Sequence, residues 1–396
     1  MDPVVIVGTG ITPFGKFRGV PLREHCTAAV AEALADANLT AADVGMVFYG
    51  NAAGGVTQGQ ESIRGQAALR DTGLLGLPII NVDNACAASS TAIQMAAMAV
   101  RAGACEVALA IGAEKLTHRD RERTFAAFTC AVDQERMGDL RELCEETGTV
   151  GNGSIFMDFY AYGTVRYVER SGATAEDFAG VVVKNRAHGA LNPKAQYRST
   201  TTIDAVLESR DVSGPLKLLM CSPIGDGAAA VVVTTPERAA GLGVPALRLR
   251  ASSLVSGTVD GDPSAAHRAA DKAYEEAGLG PEDLDVVELH DAAAPAELLA
   301  YEELGLCADG GGPALLASGA TTLGGRIPVN PGGGLIARGH PIGATGCAQV
   351  VELADQLRGR CGDRQVPGAR IGLAENAGGT IVADAGASAV TILSVD

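Results

Sequence analysis

Cys86 is the side chain of this sequence best placed to act as a nucleophile. It lies in NVDNACAASSTAIQMAAMAV, where an apolar strand pattern ends near Asn84 and a helix of small residues begins near residues 88–90. A thiol just ahead of a helix N-terminus meets free N–H groups and the positive end of the helix dipole, which favour a thiolate and an oxyanion. The alternative is a buried core cysteine, the commoner fate of a lone Cys.

Two histidines could serve such a thiol. His340 lies in NPGGGLIARGHPIGATGCAQ, a glycine-rich turn ahead of a second helix, and could accept the thiol proton in a Cys–His pair. His290 and Asp291 end the strand pattern VVEL, where His290 could polarise a carbonyl or carry a proton. The alternatives are a glycine-rich turn with a capping histidine, and an Asp291 that caps the helix that follows it.

The chain repeats itself at an offset of 240 residues. Residues 32–50, EALADANLTAADVGMVFYG, match residues 272–290, KAYEEAGLGPEDLDVVELH, and each copy reads as an amphipathic helix, a turn with an acidic cap and a strand. Chance likeness of two α/β stretches is the alternative, and the constant offset favours duplication. The alternation predicts a mixed sheet with helices on its faces. In two symmetric halves, Cys86 and His340 would face one another at two helix N-termini.

The segment 117–210 has no counterpart in the second half of the repeat. It is charged and irregular and then helical, which is typical of an insertion that shapes a substrate site. We therefore predict an N-terminal half from 1–116 plus 211–245, an inserted loop domain from 117–210, and a C-terminal half from 246–396. The most basic stretch of the insertion could meet a phosphate, or form a solvated face. Its members are Lys184, Arg186, His188, Lys194 and Arg198.

The bulk composition excludes several classes of function. A net charge of −16 repels phosphate backbones and anionic lipids, so we expect neither nucleic acid nor membrane as a partner. The nine cysteines form no C-x-x-C pair, which disfavours a zinc site and predicts reduced thiols in the cytoplasm. The opening MDPVVIVGTGITPFG does not have the pattern of a secretory leader. We expect a cytoplasmic enzyme with neither a metal nor an organic cofactor.

These segments together resemble the thiolase superfamily. The likeness rests on Cys86 in NACAASSTA, His340 in GHPIGATG and the HD pair, with the opening VVIVGTGITPFG and the strand DGAAAVVV in support. It is closest to the sterol-carrier-protein-type and archaeal acetyl-CoA acetyltransferase-like thiolases. It implies an α/β fold in which duplicated βαβαβ halves form a five-layer α/β/α/β/α core with an inserted loop domain. It also implies a homodimer or a dimer of dimers.

The resemblance further implies a mechanism. Cys86 takes an acyl group from acyl-CoA or another acyl thioester, His340 activates Cys86, and His290 stabilises the enolate oxygen of the second substrate. Acyl-CoA is then a substrate, and no cofactor is implied. The residues expected to line the substrate site are Asp291, Gly339, Asn376 and Gly378.

The sequence departs from the family pattern at the second cysteine, which usually exchanges the proton at the α-carbon. Thiolases carry it in a Cys-x-Gly motif of the last repeat or directly after the HD pair, and these stretches read AENAGG and HDAA here. His290 is the first substitute and Glu375 a weaker one. Cys347 lies inside a helix pattern and Cys221 in an apolar strand, so both are disfavoured.

Three functions are compatible with these residues. The first is a thiolase-like acyltransferase that makes or breaks a C–C bond through acyl-Cys86. The second keeps the fold but is a C-acyltransferase or a retro-aldol lyase on a specialised or sterol-like substrate, working with a small OB-fold partner protein. The third, a non-catalytic relative, is disfavoured because Cys86, His290 and His340 are retained together.

Overall fold

The computed structural model describes residues 2–151, 154–381 and 383–395. Across these residues no helix combines the length and apolarity needed to cross a bilayer. The strands are β1 (Val5–Ile11), β2 (Met46–Gly50), β3 (Ile79–Val82), β4 (Val107–Lys115), β5 (Asp211–Ser213), β6 (Leu216–Lys217), β7 (Asp226–Thr234), β8 (Leu247–Ser256), β9 (Val286–Glu288), β10 (Ile371–Ile381) and β11 (Asp384–Ser394). The helices are α1 (Leu22–Asp36), α2 (Gly54–Gln58), α3 (Arg64–Ala68), α4 (Ala88–Arg101), α5 (Arg121–Thr129), α6 (Met137–Glu146), α7 (Ile155–Ser171), α8 (Ala175–Ala190), α9 (Ile203–Leu207), α10 (Pro236–Ala240), α11 (Ala265–Ala277), α12 (Ala294–Glu303), α13 (Gly312–Ala317), α14 (Gly334–Arg338) and α15 (Thr345–Leu357).

The main sheet contains two copies of one strand order. Its nine strands run β3-β2-β4-β7-β1 and then β8-β11-β10-β9. A parallel bridge between Val287 and Val329 occupies, beside β9, the place that β3 holds beside β2. The two parts join where Val5 and Ile6 of β1 pair with β8. This mirrored order confirms the predicted duplication and the mixed sheet.

The repeat extends to one hydrogen bond in the turn before each matching strand. The Asp43 carboxylate accepts a bond of 2.9 Å from the N–H of Thr40 ahead of β2. The Asp283 carboxylate accepts a bond of 2.8 Å from the N–H of Gly280 ahead of β9. Both aspartates therefore cap the short turn, as the acidic positions in the sequence predicted.

Three apolar clusters divide the fold into five layers. One cluster joins α1 to one face of the first part of the sheet. A second contains α4 and α15, packed between the two parts of the sheet. The third joins α11 and α12 to the outer face of the second part. The order helix, sheet, paired helices, sheet, helix confirms the predicted α/β/α/β/α core.

The segment between β4 and β7 contacts both halves of the repeat. It contributes α5 to α9 and the small hairpin of β5 and β6. Its helix α8 packs against α12, α13 and α14 of the second half, while α5 packs against α2 of the first. This segment therefore covers the edge at which the two halves meet, and its hairpin of β5 and β6 lies beyond residue 210, where the predicted insertion ends.

We predict that Gly346→Ala destabilises the junction of α4 and α15. A Cβ at Gly346 would lie 2.6 Å from the backbone nitrogen of Ser90 and 3.0 Å from the side-chain oxygen of Asn376. Overpacking of this kind costs about 1–3 kcal/mol. Chemical unfolding should show this loss of unfolding free energy.

Gly163→Ala is the matched control. Gly163 also lies inside a helix, and a Cβ there would meet no described atom within 4 Å. Since Ala favours the helix over Gly, this variant should be neutral or up to about 1 kcal/mol more stable. Equal stability of the two variants would contradict the tight contact.

Candidate active site

Cys86, His290 and His340 meet at the junction of the two halves. Cys86 lies in the short turn Ala85–Ala87 ahead of α4, His290 follows β9, and His340 precedes the turn Ile342–Ala344 ahead of α15. The sulfur atom and one ring nitrogen of each histidine all lie within 4.8 Å of one another. The two imidazole rings stand edge to face, with their centroids 5.1 Å apart. The structure thus brings together the three residues predicted to be catalytic.

The backbone of β10 presses closely on the Cys86 turn. A Cβ at Gly378 would lie 2.1 Å from the carbonyl oxygen of Asn84 and 2.6 Å from the nitrogen of Ala87. Gly378, which was predicted to bind substrate, is therefore needed for close packing beneath the thiol. Burial raises the pKa of Cys86 to about 12, although N–H groups of Cys86 and Gly379 act in the opposite direction. The resting sulfur is a neutral thiol.

A hydrogen bond at Nδ1 of His340 leaves its Nε2 free to act as an acceptor. Its Nδ1 lies 2.7 Å from Oγ1 of Thr345, and this hydroxyl donates to the carbonyl oxygen of Pro341 at 3.3 Å. The hydroxyl oxygen then accepts from Nδ1–H, which leaves a lone pair on Nε2. Burial, followed by electrostatic interaction with His290 and Arg338, holds the pKa of His340 well below its usual range. The ring is neutral and can accept a proton.

The hydrogen bonds of His290 give it the complementary role of a donor. Asn376 lies with Nδ2 at 2.9 Å from Nδ1 of His290, while its Oδ1 accepts from the hydroxyl of Ser90 at 2.9 Å. The amide therefore donates to Nδ1, and the proton of the neutral ring resides on Nε2. Burial lowers the pKa of His290 to about 3. This ring suits an oxyanion better than it suits removal of an α-proton.

The carboxylate of Asp291 is bonded to α8 and α14. Its carboxylate accepts bonds from the backbone N–H of Leu335 at 2.6 Å and of Ile336 at 3.4 Å, and from the amide of Asn185 at 2.8 Å. It caps α14, and not the helix that follows it in sequence. Because α14 leads directly into His340, the carboxylate positions that histidine. Its predicted contact with substrate stays a prediction.

Gly339 supplies the chain reversal between α14 and His340. Its φ of 108° is a conformation that side chains rarely adopt. A Cβ there would also lie 3.0 Å from Oε1 of Gln196 and 3.3 Å from Cβ of Phe14. Gly339 and Gly378 thus share a close backbone approach beside His340 and Cys86, and their contact with substrate stays a prediction.

Glu114 is a buried residue that sequence reasoning missed. Its carboxylate accepts from the amide of Asn51 at 2.8 Å, from the N–H of Ala52 at 3.0 Å and from the N–H of Gly343 at 3.2 Å. It ties a loop of the first half to the turn that follows His340 in the second. Burial raises its pKa to about 7. The charged end of the apolar strand VALAIGAEK was the available signal.

Tyr160 brings the inserted segment into the site. It projects from α7 and packs against the small cluster of Ala161, Leu216 and Ala293, of which Ala293 lies just after the HD pair. Burial raises the pKa of Tyr160 well above its usual range, and electrostatic interaction with Cys86, Glu375 and Asp291 raises it further. The phenol is a neutral donor close to these groups. The aromatic run FMDFYAY in the insertion was the sequence signal for it.

The backbone of His290 also holds Glu375, the weaker predicted proton shuttle. The N–H of His290 donates to Oε2 of Glu375 at 2.9 Å. Burial raises the pKa of Glu375 to about 8, so this carboxyl is mostly protonated at neutral pH. A protonated carboxyl donates a proton more readily than it accepts one, which disfavours it as a base.

The two disfavoured cysteines lie outside this cluster. Cys347 is buried in α15, where its N–H donates to the hydroxyl of Ser89 at 3.0 Å. The sulfur of Cys221 donates to the carbonyl oxygen of Lys217 at 3.5 Å. Both thiols are engaged by local structure.

The basic stretch of the insertion is largely internal. Lys184 is buried and pairs with Glu297 at 2.7 Å, and His188 is buried with Nδ1 at 3.0 Å from the carbonyl oxygen of Asn330. Arg198 remains exposed. Two further members bonded within the chain are Arg186 and Lys194. This stretch stabilises the fold more than it forms either a solvated face or a phosphate site.

We predict that Thr345→Val slows alkylation of Cys86 by iodoacetamide about 10- to 100-fold. The valine removes the bond that orients His340, and small misplacements of a base have effects of this size. Peptide mass spectrometry would follow modification of Cys86 with time.

Thr345→Ser is the matched control, since it keeps the hydroxyl. It should alkylate at nearly the parent rate. Parent-like alkylation of the valine variant would show that Thr345 does not orient the base.

Comparison with known proteins agrees with this geometry. The chain matches the thiolase N-terminal domain over residues 4–237 and a thiolase C-terminal domain-like family over residues 252–394. It is 37% identical to the acetyl-CoA acetyltransferase of Methanothermobacter thermautotrophicus, with 100% of both chains covered. It is 39% identical to the benzoylsuccinyl-CoA thiolase subunit BbsB of Thauera aromatica, covering 95% of this chain and 94% of that one.

A solved structure extends the comparison to the whole fold. The Ltp2-ChsH2(DUF35) aldolase superposes with a TM-score of 0.79 and 27% identity, covering 100% of this chain and 98% of that one. The family matches span nearly the entire sequence, and both relatives align over nearly their whole lengths. The chain therefore belongs to the thiolase family.

Proposed function

We propose that this chain is a thiolase-type acyltransferase that makes or breaks a C–C bond of acyl-CoA thioesters through an acyl-Cys86 intermediate. The observation that carries the proposal is the meeting of a thiol, an acceptor imidazole and a donor imidazole, with their reacting atoms within 4.8 Å. The acetyl-CoA acetyltransferase and thiolase-subunit relatives support this reaction class. Acyl-CoA enters as a substrate, and the chemistry requires no organic cofactor.

The first half-reaction loads the thiol. Because Cys86 and His340 are both neutral at rest, the proton passes to Nε2 of His340 as the sulfur attacks the thioester carbonyl. The N–H of Gly379 and Nε2–H of His290 would donate to the developing oxyanion. Collapse of the tetrahedral intermediate expels the CoA thiolate, which takes the proton back from His340. Cys86 is left as a thioester and His340 is neutral again.

The second half-reaction uses the same base. A second acyl-CoA binds, His340 removes its α-proton, and His290 donates to the enolate oxygen. The enolate carbon attacks the acyl carbon on Cys86, so that the C–C bond forms and the C–S bond breaks. The thiolate of Cys86 then recovers the proton from His340. His340 is the base in both half-reactions. It thereby replaces the second thiol, which is missing from the segments AENAGG and HDAA.

The assembly and compartment are parts of the same proposal. β3 ends the strand order of the sheet, and Ile63 and Leu75 are exposed, which supports pairing of two copies in a homodimer or a dimer of dimers. The nine cysteines of the described chain are free thiols, which suits the reducing cytoplasm.

A second candidate function is retro-aldol cleavage with a partner protein. The likeness to the Ltp2-ChsH2(DUF35) aldolase favours it, because that structure is named as an aldolase and its name joins two proteins. Aldol cleavage needs a base and an enolate donor, which His340 and His290 supply, but it needs no acyl-enzyme. Cys86 would then be dispensable, which separates the two functions. A small partner, predicted from the family resemblance as an OB-fold protein, is compatible with both.

We predict that Cys86→Ala lowers thiolytic turnover of acetoacetyl-CoA at least about 1,000-fold, because the covalent route is lost. Release of acetyl-CoA, measured chromatographically, is the readout. Cys130→Ser, which alters an exposed thiol, should retain parent activity. Parent-like turnover of Cys86→Ala would reject the acyl-enzyme. Cys86-independent cleavage of a β-hydroxyacyl-CoA, with or without a co-expressed partner, would establish the lyase.

We predict that His340→Ala lowers the rate at which the α-protons of acetyl-CoA exchange with D₂O by about 100-fold or more. This is the usual contribution of a general base. Nuclear magnetic resonance of the acetyl group would measure the exchange. Cys86→Ser should retain exchange, because the base is still present.

Tyr160→Phe and Glu375→Gln are the controls for the two other acidic groups near the site. Both should exchange at close to the parent rate. Loss of exchange in either one, with exchange retained in His340→Ala, would transfer the base to that residue.

A further inference from the structure

The catalytic cluster is also a set of ligands that a soft divalent cation prefers. Cys86, His290 and His340 offer one sulfur and two imidazole nitrogens within 4.8 Å of one another. Tetrahedral zinc, with Zn–S near ~2.3 Å and Zn–N near ~2.0–2.1 Å, places such atoms roughly 3.3–3.6 Å apart. Side-chain movements of about 1 Å would bring the three ligand atoms to these separations. The ligands come from three distant segments, so the search for C-x-x-C pairs could not find them.

The surroundings of both histidines suit coordination through Nε2. Metal-binding imidazoles are usually held by a hydrogen bond at the other nitrogen. His340 has this bond from Nδ1 to Thr345 at 2.7 Å. His290 has its bond at Nδ1 to Asn376 at 2.9 Å. Rotation of the Asn376 amide by half a turn would let its oxygen accept from Nδ1–H and its nitrogen donate to Ser90, which frees Nε2 of His290 for a metal.

The charge of the site also favours a cation. The carboxyl group of Glu114 is fully buried and interacts electrostatically with Cys86. A Cys86 thiolate and a Glu114 carboxylate together would balance the two charges of a zinc ion. Burial of a charge is costly unless opposite charges are close. The positive charge of Arg338, which also lies near His340, is paired with Glu288 at 2.7 Å.

We propose that Zn²⁺ binds Cys86, His290 and His340 and inhibits the enzyme reversibly. The Cys86 thiol releases its proton to solvent as the sulfur–zinc bond forms, and neither partner changes oxidation state. Three protein ligands leave a fourth position for water. The nucleophile and its base are then both coordinated, so turnover stops. The inhibition rests on the proposed function, whereas the binding does not.

Titration of chelator-treated protein with Co²⁺ under anaerobic conditions tests the binding, with Zn²⁺ as the competitor. We expect one equivalent to bind with a thiolate-to-cobalt absorption in the near ultraviolet, and Zn²⁺ to abolish it. Cys86→Ala should lose this absorption. His290→Ala and His340→Asn should raise the Kd for Co²⁺ more than about 100-fold. This effect is larger than the loss of a residue that only hydrogen-bonds to a metal ligand would cause. Circular dichroism would show that the variants are folded.

Two surface variants control for adventitious binding. Cys130 is an exposed thiol, and His267 lies 3.4 Å from Asp271 on the surface. Cys130→Ser and His267→Ala should bind Co²⁺ as the parent does. Absence of the absorption in the parent, or its persistence in Cys86→Ala, would overturn the site.

The functional arm is separate from the binding arm. Micromolar Zn²⁺ should abolish thiolytic turnover, and a chelator should restore it. Full turnover in the presence of bound Zn²⁺ would overturn the inhibition. Co²⁺ binding at Cys86 in a protein that lacks thiolase activity would reject the proposed function and leave the metal site intact.

Discussion

The contact between the first turns of α4 and α15 is the constraint on which the site depends. Gly346 packs so closely on Ser90 that a Cβ would clash, and Gly112 leaves equally little room against Gly343. Small residues at these points let two helix N-termini approach face to face. Cys86 precedes one of these helices and His340 the other. A looser junction would separate the nucleophile from its base, because each is fixed by its own half of the repeat.

Burial gives the site a neutral resting state. It raises the pKa of Cys86 to about 12 and lowers that of His290 to about 3. Charge is therefore created only as substrate reacts, in a place where fixed donors await it. The sequence alone does not distinguish the roles of the two imidazoles. The hydrogen bond to Thr345 makes Nε2 of His340 an acceptor, and the hydrogen bond from Asn376 makes Nε2–H of His290 a donor. These outer hydrogen bonds assign the chemical roles.

The sequence predicted the architecture well because its signals are repeated and local. The offset of 240 residues, the acidic turns and the helix–strand alternation each reflect short-range rules, and the duplicated sheet follows from them. It also singled out the three side chains that the structure brings together, since each lies in a distinctive turn. The structure adds their proximity and their surroundings.

Other assignments required distances that sequence spacing does not contain. The cap that Asp291 provides for α14 could not be predicted, because the helix it meets lies more than 40 residues further along the chain. Glu114 and Tyr160 reach the site from a strand end and from the insertion. Acylation of Cys86 tests the account most directly, by intact-protein mass spectrometry after mixing with acetyl-CoA. The account predicts one added acetyl group on the parent and none on Cys86→Ala; equal addition to both proteins, or none to the parent even with longer acyl-CoAs, would contradict it.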